Sequence, residues 1–556
     1  MLLETMIVAS ALAGGPAGLH ESGEFKHESC EDPMPRLPAA TASMNPLPRW
    51  MLSEGLVDIV QVNLGPDGMN ILGDAANEPT IVVDPTAPNR MAICWRQFDT
   101  VESNFRQLGY SWSVDGGRTW APIDRITPGK FRSDPVLQSG PDGTFHVVSY
   151  DAAYVYSFYS QNGGRDWSEP ALAFGGDKEW LAVHPGGDVL FQHWTSDANR
   201  SFSGGMIPPG GGPWDVWERP ARINVPIWGN SAFGPDDAYY VVGQTGVGVD
   251  LVRFDDPLAD VLTPTRRTTV WLDGTNTSFN GPNPGGILGM PQVAINPASG
   301  SYQGEVYVVA PIRTYDLGDP SELRFTRSID RGETWLAEPI TINDDGPNGF
   351  VYQWFGTISI APNGRIDVVW LDMRDDPDPS DGVYISELFY SSSSDGGRTW
   401  TPNAQLSVGF DSRLGWPNQN KMGDYYHMVS DGVGADLAWC ATFEGEQNVY
   451  YTRIGPRDCN RNGIADDDDF ASGVLTDCNG NGVPDECEIA AGVDVPCYGC
   501  IADFAEPYGT LDLADIVAFI VAFGSGDPRA DLAEPFGVLD LDDISAFIQA
   551  FVAGCG

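Results

Sequence analysis

The sequence predicts a mainly-β protein: a β-propeller, with seven blades favoured and six the alternative, followed by a small loop-and-helix domain. Four observations predict it. Gly (65) and Pro (43) make up near a fifth of the 556 residues, which suits many short strands joined by turns. Trp (17), Tyr (19) and Phe (25) supply the apolar volume of a large core. An eight-residue motif also recurs, as SVDGGRTW at 113–120, SIDRGETW at 328–335 and SSDGGRTW at 393–400, with a looser SQNGGRDW at 160–167. Finally, an apolar strand–turn–strand pattern returns seven times between about 77 and 454.

The seven units begin EPTIVVDPTAPNRMAICW (78–95), DPVLQSGPDGTFHVVSY (134–150), KEWLAVHPGGDVLFQHW (178–194) and WGNSAFGPDDAYYVVGQ (228–244). They continue as MPQVAINPASGSYQGEVYVVA (290–310), FGTISIAPNGRIDVVW (355–370) and DYYHMVSDGVGADLAW (424–439). A four-stranded sheet repeated about every 40–50 residues is a propeller blade. The seventh unit, ending NVYYTRI, is one strand short. The stretch from Val57 to Val62 supplies that strand and closes the ring, leaving no free sheet edge.

Before the repeats, MLLETMIVASALAGGPAG combines a short apolar run with Ala11-Leu12-Ala13, the pattern of a cleavable leader. Residues 1–13 read as a signal peptide and 14–56 as a linker, so the expected location is secreted or cell surface. No other stretch has the ~18–20 apolar residues of a membrane span. The net charge of −46 repels phosphate backbones and anionic membranes, so nucleic acid is not an expected partner. Six of nine cysteines (Cys459, Cys478, Cys487, Cys497, Cys500 and Cys555) fall in the last hundred residues, as in a disulfide-stapled module of an exported protein. Phosphate-loop, zinc-protease and serine-elbow motifs are absent.

The Ser-x-Asp-x-Gly-x-Thr-Trp repeats resemble the Asp-box of sialidase-like (BNR-repeat) propellers, over 57–455. The resemblance implies that each box is the turn between the third and fourth strands of a blade. There Asp accepts backbone N–H bonds, Gly takes positive φ and Trp packs between sheets. Ligands are then expected at the opposite end of the channel, where each blade's first strand begins and its second ends. Aligning the units puts Glu78, Asp134, Lys178, Trp228, Met290, Phe355 and Asp424 at strand entry. The resemblance further implies an exo-α-sialidase type of glycoside hydrolase. Arg96, Arg313 and Arg374 would clamp a sugar carboxylate, and Glu78, Asp134 or Asp372 would handle protons beside a Tyr nucleophile. The competing reading is a non-catalytic binding or surface-display propeller with a glycan or glycoprotein ligand.

Residues 456–496 hold two matches to D-x-[DN]-x-[DN]-G, a calcium-loop pattern whose oxygen ligands surround a hard cation. The expected Ca²⁺ ligands are Asp458, Asn460, Asn462, Asp466 and Asp469, then Asp477, Asn479, Asn481, Asp485 and Glu488. Residues 497–556 contain a duplication at a 28-residue offset, ADFAEPYGTLDLADIVAFIVAF and ADLAEPFGVLDLDDISAFIQAF. Each copy ends in an amphipathic helix whose apolar side includes Ile516, Phe519, Ile520 and Phe523, or Ile544, Phe547, Ile548 and Phe551. The loops at 456–496 resemble those of dockerins and thrombospondin type 3 repeats, and the duplication resembles a dockerin pair. That likeness implies attachment to a cohesin-like or cell-surface partner.

Overall fold

The computed structural model describes residues 57–554, apart from residues 188, 195–200, 207–214, 220–224, 260, 277–280, 316–319, 347–348, 496–500, 506–509 and 534–537. The expected signal peptide (1–13) and linker (14–56), with Cys497, Cys500 and Cys555, lie outside the described residues.

The architecture is a β-propeller. Among the described residues the strands form seven antiparallel sheets. Six are contiguous in sequence, spanning 75–126, 133–174, 180–219, 231–270, 274–341 and 353–411. The last is composite: His427–Ser430, Ala435–Ala441 and Asn448–Ile454 are completed on the outside by Val57–Gln61, paired Val57 to Ile454 through Gln61 to Tyr450. The first strands of consecutive sheets neighbour one another around the axis, and His427–Ser430 returns to lie beside Ala75–Val83. Both chain ends of the ring therefore meet in one sheet, and the strand at 57–61 covers what would otherwise be an open edge.

Second strands are covered on both faces, which is why they read as unbroken apolar runs such as IDVVWLD (366–372) and ADLAWCA (435–441). Large side chains fill the spaces between sheets. Between the fifth and sixth sheets Tyr307, Val309, Phe325, Trp370 and Phe389 pack together. Burying such aromatics is worth about 1.5–3 kcal/mol each, and the ring is held mainly by these contacts.

All four copies of the eight-residue motif join the third and fourth strands of a sheet and share one hydrogen-bond pattern. Asp115 accepts from Ser113 Oγ (2.7 Å), Thr119 N (2.9 Å) and Thr119 Oγ1 (2.5 Å), while Ser113 Oγ accepts from Gly117 N (3.0 Å). Asp330 and Asp395 repeat it with Thr334 and Thr399. In the looser copy Asn162 takes the Asp position. Each Trp reaches the preceding sheet: Trp120 meets Tyr451, Trp167 meets Tyr110, Trp335 meets Thr268 and Trp400 meets Phe325. These turns rivet neighbouring sheets together.

Beyond Ile454 the chain forms α1 (Asp466–Ser472) and α2 (Asp485–Ala490), bridged by the disulfide Cys459–Cys487, then α3 (Leu513–Ser525) and α4 (Leu541–Ala553). Asp512 and Asp540 cap the last two helices in reciprocal boxes with Asp515 and Asp543. Phe519 and Phe547 stack at 4.0 Å and centre their small core. The expected apolar sides need one correction. Ile520 and Ile548 are 61% and 53% exposed. Each lies one residue, about 100° of helix rotation, past the Phe that packs. The packed side is Ile516, Phe519 and Phe523 against Ile544, Phe547 and Phe551. No helix among the described residues is long and apolar enough to cross a membrane.

Candidate functional site

The strand-entry positions share an unusual backbone. Glu78 (φ 52°), Asp134 (51°), Lys178 (55°), Trp228 (52°) and Phe355 (54°) all occupy the left-handed region. Before Met290 and Asp424 a glycine takes the positive φ instead, Gly289 at 129° and Gly423 at 95°. Register shifts at this point in the first, second and sixth sheets, between Asn77 and Thr80, Ser133 and Val136, and Trp354 and Thr357. A bulge of this kind re-aims a side chain, and each left-handed non-glycine residue costs roughly 1–3 kcal/mol.

The strand-entry positions bring together a buried ion network drawn from three adjoining sheets and from the segment that leads into the composite sheet. Lys178 Nζ lies 2.7 Å from Asp424, 3.0 Å from Asp134 and 3.7 Å from Glu78. Lys421 Nζ lies 2.7 Å from Asp424 and 3.6 Å from Glu78. Arg96 Nε lies 3.1 Å from Glu78 and donates to Asn77 (2.8 Å), with Nη1 3.8 Å from Asp134. Arg106 donates to Ser133 Oγ (3.1 Å), which donates to Asp134 (2.6 Å). Glu179, also buried, and the half-buried Asp177 flank Lys178.

Five carboxyl groups thus share this space with four cations, and burial works against their charged forms. Burial pushes Asp134 and Asp424 upward, but Lys178 with Arg96 or Lys421 holds both below the ordinary carboxylate range. Glu78 goes the other way: burial outweighs Arg96 and Lys178 and lifts it to about 8. Burial likewise lifts Asp177 to about 7 and Glu179 well above its ordinary value. Every member but the half-buried Asp177 is buried.

A pH dependence follows. A carboxyl raised on folding stabilises most below its unfolded value and loses that contribution as pH rises through its folded value. The contribution of Glu78 should therefore fade between pH 5 and 9. Glu78→Gln, which cannot ionise, is expected to flatten the fall in melting temperature over that range; an unchanged slope would assign it to other groups.

The remaining expected site residues lie elsewhere. Asp372 accepts from Trp370 Nε1 (2.7 Å), Arg374 N (2.9 Å), Arg374 Nη2 (2.8 Å) and Gln353 (3.3 Å). Arg374 is also tied to Asp344 (2.6 Å) and Asp345 (3.5 Å), with its guanidinium 4.3 Å over Phe389. Directly opposite Asp372 in the ladder stands Glu387, a buried carboxyl lifted to about 8 by burial and then by Asp375 and Asp372. Arg313, near the end of its strand, is exposed and makes no ion pair among the described residues. So Arg96, Glu78 and Asp134 come together, Arg374 and Asp372 come together, and Arg313 joins neither group.

Arg313 has other company. Burial and then Tyr384 raise the Tyr352 hydroxyl, while the charges of Arg313 and Arg413 both pull it down. Arg413 lies 3.8 Å over Tyr384, and the Tyr352 and Tyr384 rings are 6.3 Å apart. Tyr315 and Phe350, two residues from Arg313 and Tyr352, are exposed. Two arginines and four aromatics therefore edge the end of the fifth and sixth sheets where first strands begin. Sequence reasoning missed Arg413 and Tyr384 because each lies in a connection outside the repeating units.

The two loops after Ile454 fold alike. Asp458 accepts from Asn462 N (3.1 Å) and Gly463 N (2.8 Å), and Asp477 from Asn481 N (3.1 Å) and Gly482 N (2.9 Å). Asn460 and Asn462 both meet Asp469 (2.8 Å each), as Asn479 and Asn481 meet Glu488 (3.0 and 2.9 Å). Asp466 and Asp485 are turned away, accepting from Cys459 N and Cys478 N. Buried oxygens of Asp466 and Asp469 have no partner. Among the described residues no three His, Cys, Asp or Glu side chains are gathered as a metal set. The loops instead mix carboxylates with amide oxygens, a donor set that fits a hard, oxygen-seeking cation.

No family model matches the chain, and no curated protein does. Solved structures similar to it include a protein of unknown function from Dyadobacter fermentans, at 16% identity and a TM-score of 0.40 over 72% of this chain and 99% of that one. A Hadza microbial sialidase is 14% identical with a TM-score of 0.35, over 68% of this chain and 66% of that one. The phage phi92 endosialidase is 9% identical with a TM-score of 0.42, over 72% and 69%.

Proposed function

We propose that this is an exported, seven-bladed propeller of the Asp-box type that binds acidic glycans without cleaving them. Its C-terminal calcium-loop and dockerin-like module would attach it to a cohesin-like or surface partner. The observation that carries the binding reading is the rim at Arg313, Arg413, Tyr352 and Tyr384. Two guanidinium groups at one rim can take a sugar carboxylate in charge-assisted bonds, and the exposed rings of Tyr315 and Phe350 suit sugar rings. Hydrolysis by the expected clamp has less support. Arg96 is 0% exposed and spent on Glu78, and Arg374 is spent on Asp372 and Asp344. The composite sheet, taken as a blade, makes seven. Calcium in the loops at 458–469 and 477–488 is supported by their mixed oxygen donors and the unpartnered Asp469 oxygen.

Calorimetric titration with a sialylated oligosaccharide tests the binding reading: heat of binding that is lost in Arg413→Ala supports it, and no binding overturns it. One observation favours a hydrolytic reading, the buried Glu387 directly opposite Asp372 in the ladder, since paired carboxyls are the equipment of acid–base chemistry. A fluorogenic sialoside separates the readings. We expect no release above the blank from wild type or from Arg374→Ala; turnover that falls in the variant would establish hydrolysis.

A further inference from the structure

We propose that the first copy of the eight-residue turn, Asp115–Arg118, is a docking surface for the two C-terminal loops. A divalent cation bound in those loops would then fasten the composite sheet that closes the propeller. The inference rests on the calcium reading given above.

The same motif position serves different ends around the ring. Arg398, in the sixth sheet's turn, pairs with Glu305 of the fifth sheet at 2.9 Å. Arg165, in the second, lies 4.9 Å over Trp112 of the first. Arg118 departs from this pattern. It accompanies its own turn through Asp115 O (2.7 Å) and reaches Gly482 O (2.9 Å), at the sixth position of the second loop. The neighbouring Gly116 carbonyl accepts from Tyr451 Oη (3.2 Å) of the composite sheet and from Arg457 Nε (3.2 Å) at the threshold of the first loop. The Arg457 carbonyl in turn accepts from Asp466 N (2.8 Å).

A second contact lies alongside. The turn Asp431–Gly434 of the composite sheet brings Gly432 so near the first loop that a Cβ added there would lie 3.3 Å from Gly463 and 3.6 Å from Asp458, the sixth and first loop positions. That turn is held from the far side by Arg453, which pairs with Asp431 (2.6 Å) and Asp436 (3.2 Å), and by Arg365 and Asn363 of the sixth sheet. Asp458 follows Ile454, the end of the strand onto which Val57–Gln61 is zipped, by four residues. Both loops, tied to each other by Cys459–Cys487, therefore sit on the seam between the composite sheet and the first sheet. A ligand that binds only the folded loops stabilises whatever those loops are folded onto.

The test uses the full chain and an internal reporter. All 17 Trp lie at or before residue 439, so tryptophan emission reports the propeller and not the C-terminal module. Calcium binding is measured by titration calorimetry, and thermal unfolding is followed by tryptophan emission in calcium or EDTA. The expected result is that EDTA lowers the tryptophan-detected midpoint by about 3 °C for a hundred-fold excess of calcium over its Kd. In Arg118→Ala that difference should vanish while calcium still binds. Arg398→Ala, the same motif position without a loop contact, should lower the midpoint but keep the difference. If calcium binds and the tryptophan midpoint ignores it, the docking proposal is wrong although the calcium reading stands. If no calcium binds, both fall.

Discussion

Replacing Asp424 by alanine is expected to destabilise the protein by roughly 3–5 kcal/mol, because it removes one partner from a buried ion pair and strands the other. Its carboxylate is the nearest anion to both Lys178 and Lys421, at 2.7 Å each, and it accepts from Ile287 N at 3.2 Å. Nothing polar is free to replace it, since water does not reach the side chain. Glu78 should then give up its proton to restore charge balance, so the fading of stability with alkaline pH should weaken in the same variant. Asp424→Asn separates charge from shape: it preserves volume but leaves the lysines unmatched, and it should lose nearly as much. Urea unfolding monitored by tryptophan emission measures both variants. A loss under 1 kcal/mol for either would mean that the network is solvated.

Gly117→Ala should cost about 3 kcal/mol through two additive causes, a left-handed backbone that an L side chain resists and a clash that the packing cannot relieve. Gly117 has φ 79°, and a Cβ there would lie 2.4 Å from the Tyr451 ring, in the strand that carries Val57–Gln61. Tyr451 cannot retreat, because its hydroxyl is held by Asp436 at 2.7 Å and by Gly116 O. Asp115→Ala, by contrast, removes hydrogen bonds at a half-exposed turn and should cost about 1 kcal/mol. The ordering matters more than either value. If the motif were a ligand site, the aspartate would be the sensitive residue in binding and the glycine would be incidental; here stability ranks them the other way.

The ring was legible because a propeller converts equal positions in a repeat into equal positions around an axis. Aligning seven units therefore placed Glu78, Asp134, Lys178 and Asp424 in one circle, and a positive φ at or just before strand entry recurs with the repeat. The arginines were less legible for a reason of parity. Arg96 lies two residues before the end of its strand, Arg313 one before, and Arg374 two beyond, so strand alternation and loop geometry send them to different places. Lys421 was hidden in a connection that obeys no repeat, as were Arg413 and Tyr384. The helices show the same limit: a 3.6-residue period identified the apolar side of each, but Ile520 and Ile548 sit at its border and only packing decides a border.

One titration tests the acidic-glycan rim. A sialylated lactose and plain lactose are titrated into wild-type protein and into Arg313→Ala by calorimetry at low salt. The account predicts that the sialylated sugar binds and lactose binds at least tenfold more weakly, and that Arg313→Ala loses ten- to hundredfold in affinity for the acidic sugar, as expected for one charge-assisted contact. Equal affinity for both sugars, or an Arg313→Ala variant that binds like wild type, would contradict it.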